Sequence, residues 1–158
     1  MDELAKKLGV RLKRANEILA TAESCTGGWA AQVVTSVAGS SAWFERGFVT
    51  YSNAAKQELL GVQAETLRAH GAVSEETARE MARGALERSR GTIAVSITGV
   101  AGPAGGTAEK PVGTVCFAWA RGGEVRSETR RFAGDRESIR RQSVILALEG
   151  VLRALNGG

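Results

Sequence analysis

The segment Thr21-Ala22-Glu23-Ser24-Cys25-Thr26-Gly27-Gly28 constrains this chain more than any other. It follows the apolar run Ile18-Leu19-Ala20 and leads into Trp29-Ala30-Ala31-Gln32-Val33-Val34, whose composition suits a helix. A buried strand that turns directly into a helix is a unit of layered α/β domains. The junction also places a hydroxyl and a thiol where helix N–H groups and the positive dipole end face outward. A nucleophile there can attack a carbonyl while the same amides hold the oxyanion. A Ser or Thr N-cap on an ordinary helix uses the same residue types.

Periodicity extends the pattern along the chain. Leu4, Leu8 and Leu12 repeat at helical spacing over 2–15. Residues 17–22 read as a short buried strand and 27–37 as a helix ending near Ala38-Gly39. Phe44 to Tyr51 suits a strand, and Asn53 caps a short helix through Leu60, stopped by Gly61. Another short helix covers 63–70. Ser74, with Glu75 and Glu76 behind it, caps a helix whose Ala78, Met81, Ala82, Ala85 and Leu86 share one face. Thr92 to Thr98 is an apolar strand, and 99–112 is a long Gly/Pro loop of a kind often functional. Gly113–Ala120 and Glu124–Phe132 form a hairpin across Arg121-Gly122-Gly123. Asp135 caps a last helix running to about Leu155. Early β/α alternation with a late hairpin predicts an α/β fold: one three-layer α/β/α domain over 1–158, with a mixed parallel and antiparallel sheet.

The 158 residues, 43% hydrophobic and 24% charged, suit a globular domain with a real core. No apolar run approaches the length of a membrane span. The N-terminus carries acids and no long apolar stretch, so it is no secretory signal, and the expected compartment is the cytoplasm. Two cysteines and one histidine exclude a disulfide framework and a His-rich metal site. His70 reads as a helix C-terminal residue. The net charge is +4, but the arginines near the C-terminus interleave with acids. A nucleic-acid partner is therefore not expected, and a small anionic substrate explains the charge equally well.

Known phosphate and nucleophile motifs fail. Gly99-Val100-Ala101-Gly102-Pro103-Ala104-Gly105-Gly106 is neither G-x-G-x-x-G nor a P-loop, and no G-x-S-x-G elbow occurs. A Ser–Lys amidase remains sensible chemistry, because a desolvated lysine can act as a base toward a serine.

Three segments together resemble the CinA C-terminal domain family, whose characterised members include the PncC-type nicotinamide mononucleotide deamidases. They are the Thr21–Gly28 segment, Tyr51-Ser52-Asn53-Ala54-Ala55-Lys56, and Gly99–Gly106 with Lys110-Pro111-Val112-Gly113-Thr114-Val115. Gly134-Asp135-Arg136 also fits, and the likeness covers nearly the whole chain. The molybdopterin-binding-like N-terminal domain of full-length CinA has no counterpart, so a stand-alone deamidase is expected.

The resemblance implies a CinA-like fold and hydrolysis of the carboxamide of nicotinamide mononucleotide to nicotinate mononucleotide and ammonia, a step of pyridine nucleotide recycling. It implies no metal and no cofactor, with Ser24 as nucleophile, Lys56 as base and Tyr51 assisting. The backbone at Thr26, Gly27 and Gly28 is the candidate oxyanion hole. For the ribose-phosphate end the candidates are Gly99, Gly102, Gly105, Gly106, Thr107 and Lys110, since glycine N–H groups form anion nests. Arg136, Arg140 and Arg141 rank behind them. Cys25 is expected to be a buried neighbour and Cys116 a core residue. Glu23 is open between pairing with Lys56 and contacting ribose; an ion pair would oppose a basic Lys56. The expected partner is a nucleotide-sized substrate, with a homo-oligomer, foremost a dimer, as the family tendency. The competing readings are a non-catalytic partner module in competence or DNA damage, and a nucleotide-binding regulator.

Overall fold

The computed structural model describes residues 1–157. Twelve elements follow in order: α1 (Asp2–Ala15), β1 (Leu19–Glu23), α2 (Trp29–Thr35), a 3-10 turn (Ser40–Ala42), β2 (Phe44–Val49), α3 (Asn53–Leu60), α4 (Ala64–His70), α5 (Glu75–Glu87), β3 (Ile93–Gly99), β4 (Thr114–Arg121), β5 (Glu124–Arg131) and α6 (Arg136–Asn156). The sheet order is β2-β1-β3-β4-β5. Strand β1 is parallel to both β2 and β3, while β4 and β5 are antiparallel to their neighbours. This is the mixed sheet that early alternation and a late hairpin predict.

Strand alternation sorts large and small side chains onto opposite faces. Ile93, Val95, Ile97, Val115, Phe117 and Trp119 meet α1, α2 and α6 in the larger core. Ala20, Ala22, Ala94, Ala118 and Ala120 line the other face, against α3 and α5. Alanines there let α5 approach closely, and buried Ser96 donates to the Ala78 carbonyl at 2.6 Å. With helices on both faces, all five residues of β1 are buried.

Two expectations shift. Strand β1 starts at Leu19 and ends at Glu23. Helix α2 is shorter than its composition suggested, because Gly27 (φ 60°) and Gly28 (φ 101°) are left-handed and form the turn before it. Only glycine adopts such angles at little cost.

From β1 the chain moves to β2 on one side, while from β3 it moves to β4 on the other. The carboxyl ends of β1 and β3 therefore flank a topological switch point, where open α/β sheets hold ligands. Among the described residues no helix is long and apolar enough to cross a membrane.

Candidate active site

Ser24 continues β1 by one residue, its N–H donating to the Ile97 carbonyl of β3 at 2.9 Å. The serine is thus fixed to the middle of the sheet. Thr50 is held the same way, donating its N–H to the Glu23 carbonyl at 2.8 Å. Ser52, and not Asn53 as the sequence suggests, caps α3 by accepting the Ala55 N–H at 3.0 Å, because its hydroxyl reaches the free first-turn amide while Asn53 is already helical. That cap sets the helix phase so that Lys56, one turn in, points into the protein.

Lys56 is 1% exposed. Its Nζ lies 2.9 Å from Ser24 Oγ, 2.9 Å from the Thr50 carbonyl and 3.3 Å from the Tyr51 carbonyl. Two carbonyls and one hydroxyl complete a tetrahedral nitrogen. A neutral amine satisfies them by donating two N–H bonds to the carbonyls and accepting the Ser24 hydroxyl proton with its lone pair. Burial pushes the Lys56 pKa down from 10.5, outweighing an electrostatic influence of Cys25 in the opposite direction.

Glu23 answers the question the sequence left open. Its carboxylate accepts the Thr26 hydroxyl at 2.7 Å and the N–H groups of Ala30 and Ala31 at 2.9 and 3.0 Å. It therefore fills the N-terminus of α2 and leaves Lys56 without a carboxylate. The helix end expected to face a ligand is occupied from inside. The Gly27 N–H returns to the Ser24 carbonyl at 3.0 Å, so the turn itself takes up that amide. The N–H groups of Cys25, Thr26 and Gly28 have no acceptor among the described residues.

Cys25 is buried, and that burial pushes its thiol up to about 12. It is a thiol and not a thiolate at neutral pH, hence a poor nucleophile. Cys116 is buried in β4 as expected, and its pKa is also raised by burial.

Ser24, Cys25, Tyr51, Lys56, Ala72, Val73, Thr98, Gly99, Ala101 and Arg136 line a cleft of about 160 Å³. Tyr51 stands at its mouth, 65% exposed. Its hydroxyl lies 3.5 Å from Arg136 and makes no bond to Lys56. Arg136 also donates to the Gly102 carbonyl at 2.7 Å. Gly99 and Gly102 are therefore at the cleft, but the far half of the loop is not. Thr107 accepts the Lys110 N–H at 3.0 Å, and Lys110 Nζ is tied to the His70 carbonyl at 2.6 Å. Lys110 lines a second cleft of about 430 Å³ between α5 and β5, which meets the serine cleft at Val73 but is not lined by Ser24. Gly105 and Gly106, both left-handed, bend the loop between these halves. Besides Lys56, the basic group lining the serine cleft is Arg136, which ranks behind Lys110 on sequence alone. Sequence reasoning also missed the Thr50 carbonyl, since a backbone acceptor carries no side-chain signal.

The CinA C-terminal domain signature matches residues 1–155. The chain belongs to the CinA C-terminal domain family. Among CinA relatives, the nicotinamide-nucleotide amidohydrolase PncC of Escherichia coli K12 is 56% identical over 148 residues, covering 93% of this chain and 90% of that protein. The protein of the same name from Pseudomonas putida is 55% identical over 150 residues, covering 95% and 94%. In three dimensions the chain resembles the competence/damage inducible protein CihA from Agrobacterium tumefaciens. The TM-score is 0.94 at 51% identity, covering 98% of this chain and 94% of the other. The CinA superfamily protein KP700603 from Klebsiella pneumoniae 700603 superposes with a TM-score of 0.96 at 39% identity, covering 99% and 98%.

Proposed function

We propose that this chain hydrolyses the carboxamide of nicotinamide mononucleotide, giving nicotinate mononucleotide and ammonia, with Ser24 as nucleophile and neutral Lys56 as base. The 2.9 Å contact between Lys56 Nζ and Ser24 Oγ carries the reading. Relatives named for this activity at 55–56% identity support the substrate.

Ser24 Oγ attacks the amide carbon as its proton passes to Lys56. The carbonyl electron pair moves onto oxygen, and the unpaired N–H groups beside the serine receive it; one such donor is worth about 3 kcal/mol. The Lys56 ammonium then protonates the departing nitrogen, ammonia leaves, and an acyl-Ser24 ester remains. Water, deprotonated by the regenerated amine, attacks that ester. The new proton returns to Ser24, and the product forms as the carboxylic acid, which gives its remaining proton to solvent and leaves as the carboxylate.

A cleft of about 160 Å³ suits the pyridine carboxamide and leaves the ribose-phosphate across the mouth, where Arg136 and the Tyr51 hydroxyl stand. In this reading Tyr51 serves through its carbonyl, which orients Lys56, and through its hydroxyl, which meets Arg136 beside the ligand. Arg136 takes the phosphate in place of Lys110.

The test is ammonia release from nicotinamide mononucleotide by purified protein, compared with Ser24→Ala. Turnover by the wild type and its loss in the folded variant is the expected result. No release above blank by the wild type rejects the reading.

A further inference from the structure

The turn that follows Ser24 contains two left-handed glycines and has little stiffness of its own. Glu23 tethers its Thr26 hydroxyl, and the Trp29 N–H reaches the Thr26 carbonyl at 3.0 Å; the hold on the Cys25 carbonyl comes from α6. Asp135 caps that helix by accepting the Ser138 N–H at 2.9 Å, and buried Ile139 fixes its rotation in the core. The next residue, Arg140, faces the turn. Its Nε donates to the Cys25 carbonyl at 3.0 Å, and a terminal nitrogen donates to the Thr26 carbonyl at 3.2 Å. The guanidinium lies over the Trp29 ring, 5.4 Å from its centroid, a stacking geometry that favours a planar cation. Among the described residues Arg140 has no carboxylate within salt-bridge distance.

In a trans peptide the N–H points opposite to the carbonyl. Pinning the Cys25 carbonyl against Arg140 therefore turns the Thr26 N–H away from α6, and that N–H has no protein acceptor. Pinning the Thr26 carbonyl fixes the next unit, whose Gly27 N–H closes the turn on Ser24. A charged donor also polarises the carbonyl it binds and strengthens the N–H at the other end of the same peptide. The positive charge is felt at Cys25, where it pulls the thiol pKa down against the larger upward push of burial.

We propose that Arg140 is a positioning residue that sets and polarises the Cys25–Thr26 peptide as an oxyanion donor, without touching substrate itself. The inference rests on the amidohydrolase reading. It requires a specific kinetic signature, because the interaction gains strength only as negative charge develops on the substrate oxygen.

The experiment compares wild type, Arg140→Gln and Arg140→Lys in three measurements. These are turnover of nicotinamide mononucleotide, affinity for nicotinate mononucleotide, and affinity for the analogue whose carboxamide is replaced by an aldehyde. That aldehyde adds Ser24 Oγ to form a tetrahedral hemiacetal. For Arg140→Gln, kcat falls about 10- to 100-fold, and aldehyde affinity falls in parallel. KM and product affinity stay within about twofold. Arg140→Lys, which keeps the charge but not the fork, recovers part of kcat. If Arg140→Gln does not fold, the Lys variant carries the same comparison. A kcat within about twofold of wild type in the folded variant overturns the proposal. So does a loss of product affinity equal to the loss of kcat, which marks general damage to the cleft. A wild-type protein that releases no ammonia defeats the amidohydrolase reading instead, so the two failures are distinct.

Discussion

Glu23 and Lys56 are each 1% exposed and both adjoin Ser24, yet they form no ion pair. The carboxylate is consumed by Thr26 and the first N–H groups of α2. The lysine faces only neutral oxygen atoms. The proposed chemistry depends on this separation, because a carboxylate against Lys56 would hold it protonated.

The pH dependence follows from that lowered pKa. In the proposed mechanism the base is the free amine, so kcat/KM should rise with pH along a one-proton limb and level above an apparent pKa below 10.5. Stability changes in the same direction. Between the folded and unfolded pKa values the unfolded chain binds one more proton at this residue. Unfolding free energy from Lys56 then rises by up to about 1.4 kcal/mol per pH unit, and it flattens above the unfolded value. Denaturant titrations of wild type and Lys56→Met across alkaline pH measure this as a difference in slope. Parallel pH curves for the two proteins would refute a neutral buried lysine.

Glu23→Gln tests the internal cap. Glutamine can keep one oxygen for Thr26 and Ala30, but its NH2 then meets the Ala31 N–H where a second oxygen was the acceptor. Two donors facing each other in a buried site cost about 1–3 kcal/mol. Urea unfolding should show that loss, and turnover should drop because the same carboxylate tethers Thr26 in the turn beside Ser24. Unchanged midpoint and rate would mean the cap contributes nothing.

Cys25 is the nearest rival nucleophile by position, and its thiol is pushed up to about 12. Cys25→Ala should therefore retain turnover within about tenfold, while Ser24→Ala loses it. Ammonia assays on both variants, with circular dichroism to confirm folding, separate the two. Inactivity of Cys25→Ala with activity of Ser24→Ala would transfer the role to sulfur.

Elements with strong local signals were legible before any coordinates. Leu4, Leu8 and Leu12 marked α1, Ser74 and Asp135 marked two caps, and Arg121-Gly122-Gly123 marked the β4–β5 hairpin. The α2 start was misplaced because Gly27 and Gly28 look neutral in composition yet adopt left-handed angles. Ser24 and Lys56 came together only through the resemblance, since a separation of 32 positions hides a contact made by the end of β1 and α3 through the fold. The choice between Lys110 and Arg136 was not legible. Both are basic residues near glycine, and only tertiary structure ties one to His70 and sets the other beside Gly102.

Gly150 illustrates a constraint on packing alone. It lies in α6 against Trp119, whose indole N–H donates to the Ala147 carbonyl at 3.0 Å. A Cβ at Gly150 would collide with the indole ring. Gly150→Ala should destabilise the fold by about 1–3 kcal/mol despite alanine's better helix propensity. Activity per folded molecule should persist, because Arg136 and Arg140 lie toward the other end of the helix. Thermal unfolding checks the first point; a midpoint equal to or above wild type would show that α6 shifts without strain.

Arg136 and Lys110 give opposite expectations for one measurement. The Arg136 guanidinium lines the cleft of Ser24 and bonds the Gly102 carbonyl, so its charge stands where a phosphate would cross the mouth. Removing it takes away binding shared by substrate and transition state, which raises KM and leaves kcat nearly unchanged. For Arg136→Gln a KM increase of about tenfold or more is expected, matching the loss of one charge-assisted phosphate contact. The increase should shrink when the substrate is nicotinamide riboside, which carries no phosphate to lose. Lys110 Nζ is tied to the His70 carbonyl in the other cleft, so Lys110→Gln should leave KM within about twofold. A KM that responds to Lys110 and not to Arg136 would put the phosphate along the far half of the 99–113 loop and reverse the direction in which the nucleotide lies.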